Sequence, residues 1–344
     1  MNDGTKRSII KLDSVVESAA SIVGKMEHEG PLGNFFDSFD PTDEFGQDTW
    51  EKSESEMQRL VLNKALDKGG FKDDDIDIMF GGDLLNQCIA GAYGLEKFDI
   101  SYMGLFGACS TIAEAMILAS AMTSYGIYNR CAAVTSSHNC SAEMQFRTPL
   151  EYGGQRPPSA QWTVTGAGAL IVRKPREYEN GAAYITEALA GRVIDAGIKD
   201  ASNMGAAMAP AAANTLLRYF NHSGKKPNDF DLIVTGDLGY EGSAMLCDLM
   251  RSYDTDISSN HNDCGMMIYS HGIQDVHAGG SGCGCSAVVL ASYLLPKIKN
   301  GEINDMLFVG TGALMNASSL KQGLSIPGIG HLVRISSARM NTMS

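Results

Sequence analysis

The sequence predicts an α/β protein built from two duplicated halves, and three observations carry that expectation. Segments with strand character alternate with helical ones, the pattern of mainly parallel sheets with helices packed on their faces. One stretch occurs twice: Asp75-Ile-Asp-Ile-Met-Phe-Gly-Gly-Asp83 and Asp229-Phe-Asp-Leu-Ile-Val-Thr-Gly-Asp237 lie 154 residues apart. A helix apolar on nearly all sides belongs inside a protein, and from Ile112 to Met122 only Glu114 and Ser120 are polar.

Length and composition agree. The 344 residues suffice for two domain-sized halves, and 44% apolar content is that of a globular chain. The 38 glycines suit many tight turns. A net charge of −13 argues against nucleic acid as a partner, which requires a basic face, and offers no polybasic membrane anchor. Eight cysteines without a secretory signal predict free thiols rather than a disulfide framework. No run of about 18 apolar residues predicts a membrane-spanning helix, so a cytoplasmic protein is expected.

Taken in order, residues 1–50 read as a segment covering the core, with a turn at Gly30–Gly33 and an aromatic cluster of Phe35, Phe36, Phe39, Phe45 and Trp50. Helical spacing of Met57, Leu60, Val61 and Ala65 predicts a helix over 50–67, ended by Gly69-Gly70. Asp75–Asp83 is a strand running into a glycine turn, and 84–95 is helical or irregular. The tight loop with Cys109 and its buried helix follow. Cys131–His138 reads as a strand, Ser141–Thr163 as a loop, Gly166–Val172 as a strand and Lys174–Gly181 as a turn. The second half repeats the order. A helix at Ala211–Phe220 precedes the strand ending at Asp237. Gly284-Cys285-Ser286 and the apolar Ala287–Leu295 match Ala108-Cys109-Ser110 and its helix, and strands follow at Asp305–Gly310 and Gly328–Ile335. Four matched elements in one order mark a duplication of a roughly 150-residue unit, dividing the chain into halves 1–180 and 181–344.

The chemistry centres on Cys109. At a helix N-terminus, free N–H groups and the dipole favour a thiolate or a bound anion, so the loop builds either a nucleophile or a ligand pocket. His138 is within reach of that pocket or is satisfied by backbone hydrogen bonds. His261-Asn262-Asp263-Cys264 has metal-compatible side chains, but neighbours on a strand face opposite ways. Cys283-x-Cys285 lacks a second pair for zinc, and Ala278–Gly282 lacks the lysine of a phosphate loop. No metal or cofactor is predicted.

A duplicated α/β half with a cysteine before a buried helix resembles the thiolase superfamily. That resemblance implies a five-layer αβαβα fold with two central helices packed back to back. Strings such as GPLG at Gly30, GDLLNQ at Gly82, LFGACST at Leu105, HNDCG at His261 and AGGSGCGCSAVV at Ala278 are similar to a branch of that superfamily from spore-forming bacteria. The branch implies no thiolysis. It implies binding of dipicolinic acid, or of its calcium chelate, in uptake into the spore and release in germination. It also implies work beside stage V sporulation membrane proteins at the spore inner membrane, and a homodimer paired through strands near Cys131–His138.

Acyl transfer, the alternative activity, needs a base and an oxyanion hole beside the thiol. The superfamily places one such partner on the loop after the second-half strand. Here that loop, Thr235–Gly242, has no histidine, and His331 is at best displaced. Cys109 is therefore read as pocket floor. Ser110 beside it adds helix N–H groups for a carboxylate, while Asn86, Gly280 and Ser281 line the same space. Arg147, Arg156 and Arg192 are the candidate fork donors to a dianion. Asp83 and Asp237 either tolerate a calcium chelate or are turn residues.

Overall fold

The computed structural model describes residues 9–146, 156–176 and 179–339. Ten strands of three residues or more frame the described residues. The first half supplies β1 (Ile10–Val23), β2 (Ile78–Gly82), β3 (Ser101–Gly104), β4 (Arg130–Ser137) and β5 (Gly166–Arg173). The second supplies β6 (Tyr184–Leu189), β7 (Leu232–Thr235), β8 (His261–Asp263), β9 (Asp305–Ala313) and β10 (Gly328–Ser336). Hydrogen bonding orders the first set β3-β2-β4-β5-β1 and the second β8-β7-β9-β10-β6, the same order in both. Strand directions also match: β2 is parallel to β3 and β4, and β7 to β8 and β9, while the other neighbours are antiparallel. β1 pairs antiparallel with β6 and joins the halves.

The helices include α1 (Trp50–Gly69), α2 (Ile89–Leu95), α3 (Thr111–Ser124), α4 (Asn139–Phe146), α5 (Met204–Ser223), α6 (Gly239–Ser252), α7 (Cys283–Val289) and α8 (Ala317–Lys321). The apolar α3 touches β4, β1 and β2 of its own half and also β9 and β10 of the other; α7 packs on β5 and β4 and meets α3. Outside, α1 covers the first half through Met57, Val61 and Leu62, and α5 covers β9 and β10 through Met208, Ala212 and Leu216. The result is the five-layer thiolase-like arrangement. Two glycines allow the central helices to cross between sheets. A Cβ at Gly310 would stand 2.6 Å from that of Ala113 on α3, and one at Gly168 would stand 2.7 Å from that of Ala287 on α7.

The duplication reaches individual hydrogen bonds. The Asp77 carboxylate accepts the N–H groups of Asn129 and Arg130 at 2.7 and 3.0 Å; Asp231, its counterpart, accepts those of Asn304 and Asp305 at 2.6 and 3.1 Å. Gly70 and Gly224 end α1 and α5 with the same left-handed φ of 70°.

Three expectations are corrected. The covering segment contains β1, which lies inside the sheet. It escapes a pattern reading because its serines are buried: Ser18 Oγ donates to Ala65 O at 2.7 Å, and Ser21 Oγ meets Ser292 Oγ at 2.6 Å. The aromatic residues form no cluster: Phe39 stacks on His28, Phe35 meets Tyr293 edge-on, Phe45 enters the α1 core and Trp50 faces His138. The loop read over 141–163 begins as α4. The strand at Cys131–His138 is itself flanked on both sides, by β2 and β5. The edge strands of this large sheet are β3 and β8; Trp162–Thr163 and Gly280–Ser281 pair in a separate two-stranded ladder.

Candidate functional site

Cys109 sits in the turn Ala108–Ser110 that opens into α3. Ala108 holds a left-handed φ of 52°, a conformation uncommon for a residue with a Cβ. The turn uses up donors that the sequence assigns to an anion. Ser110 N–H goes to Gly107 O at 3.2 Å, Ser110 Oγ to the same oxygen at 2.6 Å, and Thr111 N–H to Ala108 O.

Second-half groups face the thiol. Ser281 Oγ lies 4.0 Å from Cys109 Sγ and donates to Asp237 Oδ2 at 3.2 Å. Gly282 N–H donates to the same oxygen at 2.9 Å, and Thr311 Oγ1 donates to Asp237 Oδ1 at 2.8 Å. Burial, then the Asp237 charge, pushes the Cys109 thiol well above its usual range; burial raises Asp237 as well. The site therefore presents a neutral thiol beside a carboxyl group, the reverse of the electropositive setting that makes a thiolate.

A cavity of about 350 Å³ opens on Cys109 between the halves. Asn86, Gln145 and Phe146 line it from the first half, Ser281, Met315 and Asn316 from the second. Gln145 clamps two parts of the wall: its Nε2 donates to Leu84 O at 2.8 Å, and its Oε1 accepts Asn86 N–H at 2.9 Å. Among the described lining residues the only charged side chain is that of Glu143. No cluster of three or more His, Cys, Asp or Glu suited to a metal occurs among the described residues.

The comparisons with known proteins fit this architecture. A family model described as Stage V sporulation protein AD matches residues 4–336. The chain belongs to the stage V sporulation protein AD family. Stage V sporulation protein AD of Bacillus subtilis (strain 168) is 42% identical over 316 residues, 92% of each chain. Among solved structures, cerulenin-bound Xanthomonas campestris OleA aligns with a TM-score of 0.60 at 13% identity, covering 95% of this chain and 97% of that one. The 3-oxoacyl-[acyl-carrier-protein] synthase III of Aquifex aeolicus VF5 aligns at 0.53 and 13% identity, covering 94% and 99%. At such identity these condensing enzymes share the fold.

Of the residues singled out in this stage V sporulation protein AD family member, Asn86, Cys109 and Ser281 meet at the cavity, with Asp237 hydrogen-bonded behind Ser281. Gly280, next to Ser281, is a strand residue whose carbonyl accepts from Gln161 at 2.8 Å. Ser110 does not line the cavity, since its hydroxyl is turned back onto Gly107. Nor does Asp83, whose oxygens accept Leu85 N–H at 2.9 Å and Gly91 N–H at 2.8 Å and so shape the loop before α2. His138 is buried with both ring nitrogens engaged: Nδ1 accepts Cys140 N–H at 3.1 Å and Nε2 lies 2.9 Å from Asp43 O. His331 Nε2 lies 3.1 Å from Glu114 Oε1, and His331 is not among the described residues that line the cavity. The Arg156 guanidinium stacks on Trp162 and pairs with Asp275 at 3.0 Å, Arg192 is exposed, and Arg147 lies outside the described residues.

Sequence reasoning missed Gln145, Phe146 and the 313–318 wall. The first two fall in a stretch with no amphipathic periodicity. In the wall one signal was available, Asn316, whose side chain caps α8 by accepting Ser318 N–H at 2.9 Å.

Proposed function

We propose that this chain is a non-catalytic binding protein for dipicolinic acid, taken as its calcium chelate, in the cavity at Cys109. The observation that carries the reading is the pairing of a protonated Cys109 with Asp237 where a condensing enzyme needs a base. The cavity volume is at the small end of ligand pockets, suited to a single aromatic ring rather than a long acyl chain. Asp237 behind the wall disfavours a bare dianion, whereas a chelate brings its own Ca²⁺ and needs mainly neutral oxygen and amide partners. Membership of the sporulation family supports a role in uptake into the spore and release in germination, with stage V sporulation membrane proteins as partners. No described helix is long and apolar enough to cross a membrane, so attachment at the spore inner membrane runs through those partners in this reading.

Calorimetric titration tests the ligand. Saturable binding of calcium dipicolinate is expected, with free dipicolinate weaker. Ala201→Trp, placed in the half-buried cavity wall outside regular structure, is expected to weaken binding by at least about tenfold. Absence of saturable binding by the folded wild type refutes the proposal.

The same reading makes the chain a homodimer paired through β3. Tyr93, Met103 and Phe106 are exposed on and beside that strand, and an unpaired apolar edge invites strand pairing. Light scattering is expected to give twice 36.7 kDa, and Met103→Lys to halve it. A single-chain particle for the wild type contradicts the dimer.

A further inference from the structure

Behind the α4 wall of the cavity lies a buried cluster that ligand contact does not use. Glu54 and Gln58 stand one turn apart on α1, both fully buried. Ser136 Oγ on β4 accepts from Gln58 Nε2 at 2.8 Å and donates to Glu54 Oε1 at 2.9 Å. Ser141 Oγ on α4 lies 2.6 Å from Glu54 Oε2 and 3.1 Å from His138 O. A hydroxyl has one hydrogen to give. If Ser141 donates to His138 O, then Glu54 Oε2 is the donor in the shorter contact and carries a proton. If Ser141 donates to Glu54, a bare carboxylate stays buried with no cation against it among the described residues.

The surroundings favour the first arrangement. Gln58 Oε1 is buried with no donor, and it lies 3.3 Å from the point where a Cβ on Gly91 would stand. Asp83 Oδ2 lies 3.5 Å from the same point, and the nearest group there, the Tyr102 hydroxyl at 2.8 Å, gives its hydrogen to Gly81 O at 3.3 Å, which leaves the two acceptors without it. Among the described residues, the titratable groups that act on Glu54 and Asp83 or feel their charge are Glu51 on α1, Cys88 before α2, Tyr102 on β3 and Cys283 on α7, and none of these is a cation. His138, at the head of α4, is kept neutral by burial.

We propose that Glu54 is a positioning residue of the cavity. Held as a neutral acid, it completes a relay from Gln58 through Ser136 and Ser141 to the His138 carbonyl, which seats the first turn of α4. Gln145 seats its last turn. Burial, then the Asp83 charge, pushes Glu54 up to about 8, consistent with a retained proton. The folded state keeps a proton that the unfolded chain releases near 4.5. Stability therefore falls as pH rises between those values, and above the upper one the relay loses its donor to Ser141.

The test has one arm that rests on the proposed ligand and one that does not. Wild-type affinity for calcium dipicolinate is expected to fall about tenfold per pH unit above about 8, one proton being released. Glu54→Gln keeps an acceptor for Ser136 and a donor for Ser141, so its affinity is expected to stay flat. In the ligand-free arm, hydrogen exchange of the α4 amides, corrected for intrinsic rates, is expected to accelerate over the same range in wild type and not in Glu54→Gln. Ser141→Ala, which cuts the relay, is expected to loosen α4 at every pH and provides the test should Glu54→Gln not fold. The same pH-dependent exchange in Glu54→Gln as in wild type, or unchanged α4 protection in Ser141→Ala, overturns the proposal whatever the ligand. Absent dipicolinate binding together with the expected exchange pattern supports the relay and counts against the ligand reading alone.

Discussion

Arg334→Met is expected to lower the stability of the protein by about 3–5 kcal/mol, the cost of removing one partner from a buried ion pair. Arg334 on β10 is nearly fully buried, with its side chain 6% exposed. Its Nη1 lies 3.2 Å from Glu187 Oε2 on β6, and its Nε donates to Asp305 Oδ1 on β9 at 2.8 Å. Burial by itself pushes Glu187 up, yet hydrogen bonds from Lys11 and Tyr219, with the charges of Lys11 and Arg334, hold its carboxyl below the usual range. Without Arg334, a carboxylate that is 2% exposed keeps, among the described residues, the half-exposed Lys11 as its one cation. This network lies at the β1–β6 seam, so the loss is felt by both halves. The sign with pH follows from the depressed carboxyl: the stability it contributes is present above about 4.5 and is lost as pH falls through its folded value. The gap between wild type and variant narrows in acid. Urea unfolding at neutral pH checks the magnitude, and a difference below about 1 kcal/mol shows that the pair is dispensable.

Asp237→Asn is expected to act on both stability and chemistry. Its carboxyl collects Gly282 N–H, Ser281 Oγ and Thr311 Oγ1. An amide of the same shape turns an N–H toward one of these donors, at a cost of about 1–3 kcal/mol. The substitution also removes the charge that helps hold Cys109 protonated. With that charge gone the thiol pKa falls toward its usual range, so alkylation of Cys109 near pH 8 is expected to rise. Peptide mapping separates Cys109 from the other seven cysteines. An unchanged alkylation rate assigns the inertness of the thiol to burial alone.

The two predictions fall on opposite sides of what the sequence reveals. Asp237 was visible as the end of a repeated strand, and Cys109 as the head of an apolar helix. What their meeting does was not visible, because they come from different halves and touch only when the two sheets close on α3. Arg334 and Glu187 carried no signal, since a buried charge looks like a surface charge until its partners are placed. α4 was hidden for another reason. Its residues show no periodic apolar face, and it is held by the side chains of Gln145 and Ser141 rather than by hydrophobic pattern.

The sequence by itself determined the repeat, the buried character of α3, the alternation of strands and helices and the family. These depend on local periodicity and on collinear residues, which need no partner to be read. Only the tertiary structure decided that β1 and β6 fuse the halves, that β4 has no free edge, and that the cavity is walled by α4 and the 313–318 turn. It also decided that the thiol at the head of α3 faces a carboxyl group. Each of those is a contact between residues far apart in the chain, and long-range contacts are fixed by how surfaces close on one another rather than by the order of residues along one of them.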